Sequence, residues 1–312
     1  MKIYLACVGM MCKTYGDDLI HRFIHPKARI SELRSYWELQ SFSGHTLPTY
    51  GKPYFLDSGA YSAFSRGVKI TKEEYANFLL KYQDQIDVYA NLDAIPATAT
   101  PEAQANAAAE SLKNQQYMES QGLKPLPVYH VGEPIEYLEH YVGSYDYICL
   151  GGMVNSDSIE PFLEEMFGHY LTNADGSAKV KVHGFGMTTL HLLTKYPWES
   201  VDSSTWLIHS KLGILALPNK LPNGEWAYWK KPLLVALSNA SSMRQDDGRH
   251  YDNMTPDQRI EIEEFLDQFG MKVDELREHP TPRFIANLEF WIKVGDCEKL
   301  GPSYQKRQFE LL

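Results

Sequence analysis

Short apolar runs rich in β-branched and aromatic residues alternate with longer amphipathic stretches through the first two-thirds of this 312-residue chain. The runs predict strands at Ile3 to Val8, Tyr54 to Leu56, Val88 to Leu92, Leu126 to His130, Tyr147 to Leu150, Val180 to His183, Val201 and Leu233 to Leu237. Helix-start signals lie between them. Thr71-Lys72-Glu73-Glu74 is a capping box ahead of Tyr75 to Tyr82, and Pro101 heads an Ala-rich run to Gln121. Strand-then-helix alternation implies parallel strands with helices outside, and eight candidate strands fit a (β/α)8 TIM-type barrel better than an open sheet. The alternation breaks after Trp206. Leu212 to Leu217 and Glu225 to Trp229 flank Pro222-Asn223-Gly224, which predicts a β-hairpin insertion over residues 212–230. A polar loop, Ser241 to Asp252, precedes Thr255-Pro256-Asp257-Gln258, which opens a helix to Phe269, and Arg283 to Val294 reads as helical. The simplest organisation is a single domain, with a barrel over residues 1–240 and a helical C-terminal extension over residues 255–312.

Several strand-like runs end on chemistry. Asp57 closes Tyr54-Phe55-Leu56-Asp57 and is followed by Ser58-Gly59-Ala60-Tyr61; Asp93 closes Tyr89-Ala90-Asn91-Leu92-Asp93; Asp202 opens Asp202-Ser203-Ser204-Thr205-Trp206. Carboxylates at the C-terminal ends of successive strands are how a barrel of this kind assembles a catalytic site from distant sequence. Asp-Ser pairs also serve as helix N-caps, a reading that stands beside the catalytic one for both Asp57 and Asp202. Gly151-Gly152 after Tyr147 to Leu150, and Gly184-Phe185-Gly186 after Val182-His183, would expose peptide groups to a ligand or simply make turns. His130 and Glu133 are a possible ligand pair or proton relay, but a lone strand-end histidine is more often a hydrogen-bonded structural residue.

Composition narrows the classes. No apolar run approaches the ~18 residues of a membrane helix, and the N-terminus lacks a signal-peptide pattern. Cys7, Cys12, Cys149 and Cys297 are scattered without a C-x-x-C pair, so neither a zinc site nor a disulfide framework is expected and the cytoplasm is the natural compartment. A net charge of -10 argues against a generic nucleic-acid binder, yet residues 179–249 carry nine Lys or Arg against five acids. That local excess is either a phosphate-facing rim or ordinary surface variation.

From Tyr54 to Trp206 the chain resembles the tRNA-guanine transglycosylase superfamily. Its Asp-Ser-Gly-Gly-aromatic motif is matched by Asp57-Ser58-Gly59-Ala60-Tyr61, with one Gly replaced by Ala. A strand-end base-recognition Asp looks like Asp93, a later Gly-Gly like Gly151-Gly152, and a Gly-x-Gly strand end like Gly184-Phe185-Gly186. The family's nucleophilic Asp looks like Asp202. The resemblance implies a barrel enzyme that swaps guanine in nucleic acid for a 7-deazaguanine without breaking the backbone. Asp202 would attack C1′ to give a covalent glycosyl-enzyme, and Asp57 would handle the proton at N9. Tyr61 would stack on the purine, while Asp93, Gly151 and Gly152 would meet its polar edges.

The departures are informative. The bacterial and eukaryotic tRNA enzymes carry a zinc site of three cysteines and one histidine after the nucleophile, where this chain has only Cys297. His130 stands where they have a base-reading glutamine, His183 where they have a stacking methionine, and Ser62 where they have the Gln after the first motif's aromatic. A compact relative without the zinc subdomain looks most like the phage-type DNA transglycosylases, which place bases such as preQ0 into DNA and shield it from restriction nucleases. The implied partners are DNA, or alternatively tRNA, and a free 7-deazaguanine base; no cofactor and no membrane are implied. Ser58, Ser203, Trp206, Lys211, Lys230, Lys231, Arg244 and Arg249 are the expected nucleic-acid contacts, with Trp226 and Trp229 as further candidates. Two other classes stay open: a base-releasing glycosidase using the same aspartates with water, and a non-catalytic nucleic-acid-binding subunit.

Overall fold

The computed structural model describes residues 1–9, 11, 30–153, 159–241, 248–298, 300 and 304. Its central sheet contains β1 (Lys2–Ala6), β2 (Ser31–Ser35), β3 (Tyr54–Asp57), β4 (Val88–Tyr89), β5 (Val128–His130), β6 (Tyr147–Gly151), β7 (Lys181–Gly184) and β8 (Ser200–Ser203). The strands pair in parallel in the order β4-β3-β2-β1-β8-β7-β6-β5. A parallel bridge between Ala90 and Leu126 links the two ends of that order. There the Leu126 N–H donates to the Tyr89 carbonyl at 2.9 Å and the Asn91 N–H to the Leu126 carbonyl at 2.8 Å. The sheet therefore curls as in a TIM-like barrel.

Period-two alternation divides the strand side chains between two layers. Tyr4, Leu33, Phe55, Ala90, Val128 and Cys149 meet inside the curl. Their neighbours face the helices: Tyr54 and Leu56 join Tyr75, Leu79 and Tyr82 of helix Lys72–Tyr82. Ile148, Leu150, Val182 and Val201 join Leu138, Leu163 and Leu193. The helix-start signals act as the sequence implies. Thr71 and Thr255 each form a complete capping box, and Thr100 caps helix Pro101–Ser120.

One strand assignment is corrected. Beyond the barrel lie β9 (Ile214–Leu217), β10 (Asn219–Lys220), β11 (Trp226–Ala227) and β12 (Leu233–Ala236). The expected barrel strand at Leu233 to Leu237 is β12, which pairs antiparallel with β9, while β10 pairs antiparallel with β11 inside it. Leu215, Leu217 and Val235 pack there against Ile262, Phe265 and Leu266 of helix Pro256–Asp267 and against Ile285 of helix Pro280–Gly295. The vacant barrel position belongs to β2, whose Ser-Glu-Leu-Arg-Ser sequence carries no apolar run. Its polar side chains are buried against the loop at residues 48–51, which meets one carboxylate oxygen of Glu32 and one guanidinium nitrogen of Arg34, while Glu32 Oε1 and Arg34 Nε have no hydrogen-bond partner among the described residues. Glu32 Oε2 accepts from the Tyr50 N–H at 2.6 Å, the Gly51 N–H at 3.1 Å and the Thr49 hydroxyl at 3.0 Å. Arg34 donates to the Pro48 carbonyl at 2.9 Å.

Candidate active site

Asp57, His130, Gly151, Gly184 and Asp202 all sit at or near the C-terminal ends of barrel strands, and Asp93 follows β4 by four residues. Asp57 ends β3 opposite Ser35 of β2. Its Oδ2 accepts from the Gly59 N–H at 3.1 Å, which holds the turn after β3, but the N-cap of helix Ala60–Phe64 is Gly59 and no side chain caps it, so Asp57 is not a helix cap. The carboxyl is also perturbed. Burial, then the charges of Asp93 and Asp202, push its pKa up to about 7, outweighing the hydrogen bonds from the Gly59 and Ser58 peptides. The same three carboxylates act with burial to drive the Cys149 thiol upward, so they share one interior region.

On the β4–β5 side, Asp93 is gripped at both oxygens. The Ser58 hydroxyl donates to Oδ1 at 2.9 Å and His130 Nε2 lies 3.0 Å from Oδ2. His130 Nδ1 lies 3.1 Å from Glu133 Oε1, and the His130 peptide N–H donates to Glu133 Oε2, also at 3.1 Å. Burial alone would lower the His130 pKa; hydrogen bonds and charge from Asp93 and Glu133 overcome it and hold the pKa at about 10. Near neutrality the ring is therefore an imidazolium clamped between two carboxylates. Gly151 is the floor of this clamp. A Cβ there would stand 2.7 Å from His130 Cδ2, so only glycine lets the ring lie across β6. Gly152, at φ +72, turns the chain away immediately afterwards.

On the β7–β8 side, Asp202 is 8% exposed and its Oδ1 accepts from the Gly186 N–H at 2.7 Å. Its Oδ2 has no hydrogen-bond partner among the described residues. His183 Nε2 stands 3.5 Å from Oδ1. Its ring is wholly buried against Phe55 at 4.5 Å and Phe185 at 4.6 Å between centroids. Gly184 is itself buried, and its missing side chain makes room for Trp198 and Met187.

A cleft of about 570 Å³ opens beside Asp93, walled by Ala60, Phe64, Ile70, Leu92 and Ile95. Tyr61 is 71% exposed one residue from that wall. Lys211, Lys230, Lys231 and Arg249 are exposed, and Lys211 acts on the Cys7 thiol after β1, which puts it at this end of the barrel. Arg244 lies outside the described residues.

Three expected contacts with nucleic acid are internal instead. The Ser58 hydroxyl is turned inward onto Asp93, and buried Ser203 accepts from the Thr205 N–H at 3.2 Å at the start of helix Thr205–Lys211. Trp206 is 1% exposed because its indole N–H donates to the Ala6 carbonyl and its ring packs edge-on against Phe284. Trp226 likewise packs edge-on against Phe265. Ser200 and Tyr147, by contrast, carried no weight in the sequence and prove to be neighbours of the site. Tyr147 OH lies 2.5 Å from Ser200 Oγ, which lies 2.6 Å from His183 Nδ1. The available signal was strand periodicity, which puts residue 200 on the same face as Asp202.

Among the described residues no helix is long and apolar enough to cross a membrane. None of their His, Cys, Asp and Glu side chains form a group of three or more placed to hold a metal ion. No protein-family model and no curated protein matches the chain.

Proposed function

We propose that this chain is a transglycosylase that exchanges guanine in DNA for a 7-deazaguanine base through a covalent aspartyl-glycosyl intermediate. The observation that carries the reading is the convergence of Asp57, Asp93 and Asp202 on one buried region, where Asp57 is lifted to about 7. A carboxyl at that pKa donates and accepts a proton near neutrality, as a group serving both a departing and an arriving base must.

Asp202 Oδ2 attacks C1′ as the C1′–N9 bond breaks, and N9 takes its electron pair and the proton of Asp57. The incoming base then gives its N9 proton to the Asp57 carboxylate while N9 displaces Asp202 from C1′. Tyr61 supplies an exposed ring for the base face, and the Asp93–His130 pair with Gly151 and Gly152 meets its edge. The choice of DNA over tRNA and the missing zinc subdomain follow from the resemblance; the hairpin insertion near residues 212–230 rests on the Pro222-Asn223-Gly224 turn, and a cytoplasmic location, in the host if a phage carries the chain, on the scattered cysteines. Lys211, Lys230, Lys231 and Arg249 form the phosphate-facing set in this reading. The target base must be flipped from its stack or presented on a single strand.

The test is base exchange with labelled preQ0, offered duplex DNA, single-stranded DNA and tRNA side by side. Label entering DNA is expected. Label entering tRNA alone would replace the polymer, and guanine release without incorporation would replace the reaction by hydrolysis. Nucleic-acid binding with neither label uptake nor guanine release would favour a non-catalytic subunit.

A further inference from the structure

One buried ring nitrogen is given no role by the exchange steps above. His183 Nε2 has no hydrogen-bond partner among the described residues, although its side chain is wholly buried. A polar atom in that position requires a reason, because an unmet donor or acceptor in the interior costs about 1–3 kcal/mol. The atom faces Asp202 Oδ1 at 3.5 Å. The ring cannot swing elsewhere, since Phe55, Phe185 and Tyr4 surround it at centroid distances of 4.5, 4.6 and 6.0 Å.

Its other nitrogen fixes which atom carries hydrogen. Tyr147 OH, Ser200 Oγ and His183 Nδ1 form a chain with steps of 2.5 and 2.6 Å, running inside the barrel from the first residues of β6 and β8. For a neutral ring the chain has two self-consistent directions. In one, Tyr147 donates to Ser200, Ser200 donates to Nδ1, and Nε2–H points at the Asp202 carboxylate. In the other, Nδ1–H donates to Ser200, Ser200 donates to Tyr147, and a bare Nε2 lone pair faces a carboxylate oxygen. The second direction sets two acceptors against each other in a dry interior. Burial holds the Tyr147 phenol protonated, with its pKa far above the ordinary tyrosine value, so it is available as the first donor.

We infer that Tyr147, Ser200 and His183 are positioning residues: a line of hydrogen-bond donors that fixes Asp202 through Nε2–H on Oδ1. The inference rests on Asp202 being the nucleophile of the proposed exchange. The consequence differs between the two half-reactions. When Oδ2 bonds to C1′, the carboxylate charge is lost and Oδ1 becomes an ester carbonyl. When the incoming base displaces Asp202, the electron pair of the C1′–Oδ2 bond returns to the carboxylate. Donors on Oδ1, namely Gly186 N–H and His183 Nε2–H, stabilise the charge as it reappears. Weakening the line therefore slows release of the sugar more than its capture, and the covalent intermediate accumulates.

The experiment is histidine ¹⁵N NMR on the full-length protein, with the His183 signals assigned by their loss in His183→Gln. The wild type is expected to show a protonated Nε2 and an unprotonated Nδ1, and Ser200→Ala to lose that contrast. A bare Nε2 in the wild type would overturn the inference, whether or not the chain exchanges bases. A protonated Nε2 in a protein that exchanges no base would sustain the donor line and reject the transglycosylase reading. In an active enzyme, Ser200→Ala should slow release of the glycosyl-enzyme by about 10–100-fold while its formation changes less. Ser200→Thr, which keeps the hydroxyl, should restore it. Equal slowing of both half-reactions would mark Ser200 as merely structural.

Discussion

The two histidine–aspartate couples of this barrel are built to opposite ends. On the β4–β5 side, His130 has both ring nitrogens on carboxylates, and its partner Asp93 has both oxygens on donors. Every polar atom is engaged, and the ring is held charged with a pKa of about 10. On the β7–β8 side, His183 meets a neutral hydroxyl at one nitrogen and stands 3.5 Å from Asp202 at the other. Asp202 keeps one oxygen free of hydrogen bonds among the described residues. A saturated network is rigid and fixes a charge; an unsaturated one leaves a carboxylate able to react. Asp57 stands between them, lifted to about 7 by burial and by both aspartates. In the proposed exchange the contrast divides the labour: the first couple holds and reads the base, the second reacts, and Asp57 moves the proton.

The most severe break of that division is Asp202→Asn, which removes the proposed nucleophile but keeps the shape. Base exchange should fall at least about 10⁴-fold in a steady-state assay, with the melting temperature close to wild type. Asp57→Asn comes next, with exchange slower by about 10²–10⁴-fold and polymer affinity nearly unchanged in a filter-binding assay. Equal losses in both would reduce Asp57 to a residue that only holds the turn after β3. Its raised pKa also sets a direction in pH. The acid form, which in the proposed exchange protonates the leaving base, is lost as pH rises through about 7, so guanine release in the first half-reaction should decline there. Folding responds in the same window. The folded state binds this proton more tightly than the unfolded chain, so its contribution to stability is lost as pH rises from about 4 to 7. Calorimetry should therefore show Asp57→Asn gaining roughly 2–4 °C on the wild type between pH 5 and pH 8.

A smaller effect probes the fixed couple. Glu133→Gln unclamps His130 and should cost about 2 kcal/mol in urea unfolding at pH 6. The His130 pKa is raised on folding, so its stabilisation is complete below the ordinary histidine value and fades as pH climbs through about 10. The gap between variant and wild type should narrow accordingly, and a gap independent of pH would deny His130 its charge. Smallest of all, Tyr61→Ala should raise the KM for free base by about tenfold and leave kcat and stability alone, because the ring is 71% exposed.

The sequence shows one of these two regions better than the other. Asp57 and Asp93 were visible because each closes an apolar run, and Asp202 because its Asp-Ser pair repeats that of Asp57 and its place after Gly184-Phe185-Gly186 matches the family pattern. The long-range pairings around them were not visible. Ser58 reaches Asp93 across 35 residues and Tyr147 reaches Ser200 across 53, and no local pattern encodes such pairs. β2 was missed because its burial rests on hydrogen bonds from Tyr50, Gly51 and Thr49 to Glu32 in place of apolar side chains. The segment from Leu233 was assigned to the barrel because an apolar run looks alike whether it pairs in parallel or antiparallel. Trp206 read as a nucleic-acid contact from its place after Asp202, but helix Thr205–Lys211 turns it inward onto Ala6 and Phe284.

The division of labour is tested most directly by trapping the intermediate. The protein is mixed with a guanine-containing oligonucleotide without free base, denatured, digested and mapped by mass spectrometry. A nucleic-acid adduct on Asp202, retained in Glu133→Gln and absent from Asp202→Asn, is the expected result. Exchange that proceeds with no adduct, or with the adduct on Asp57 or Asp93, would contradict the assignment of Asp202 as the reacting carboxylate.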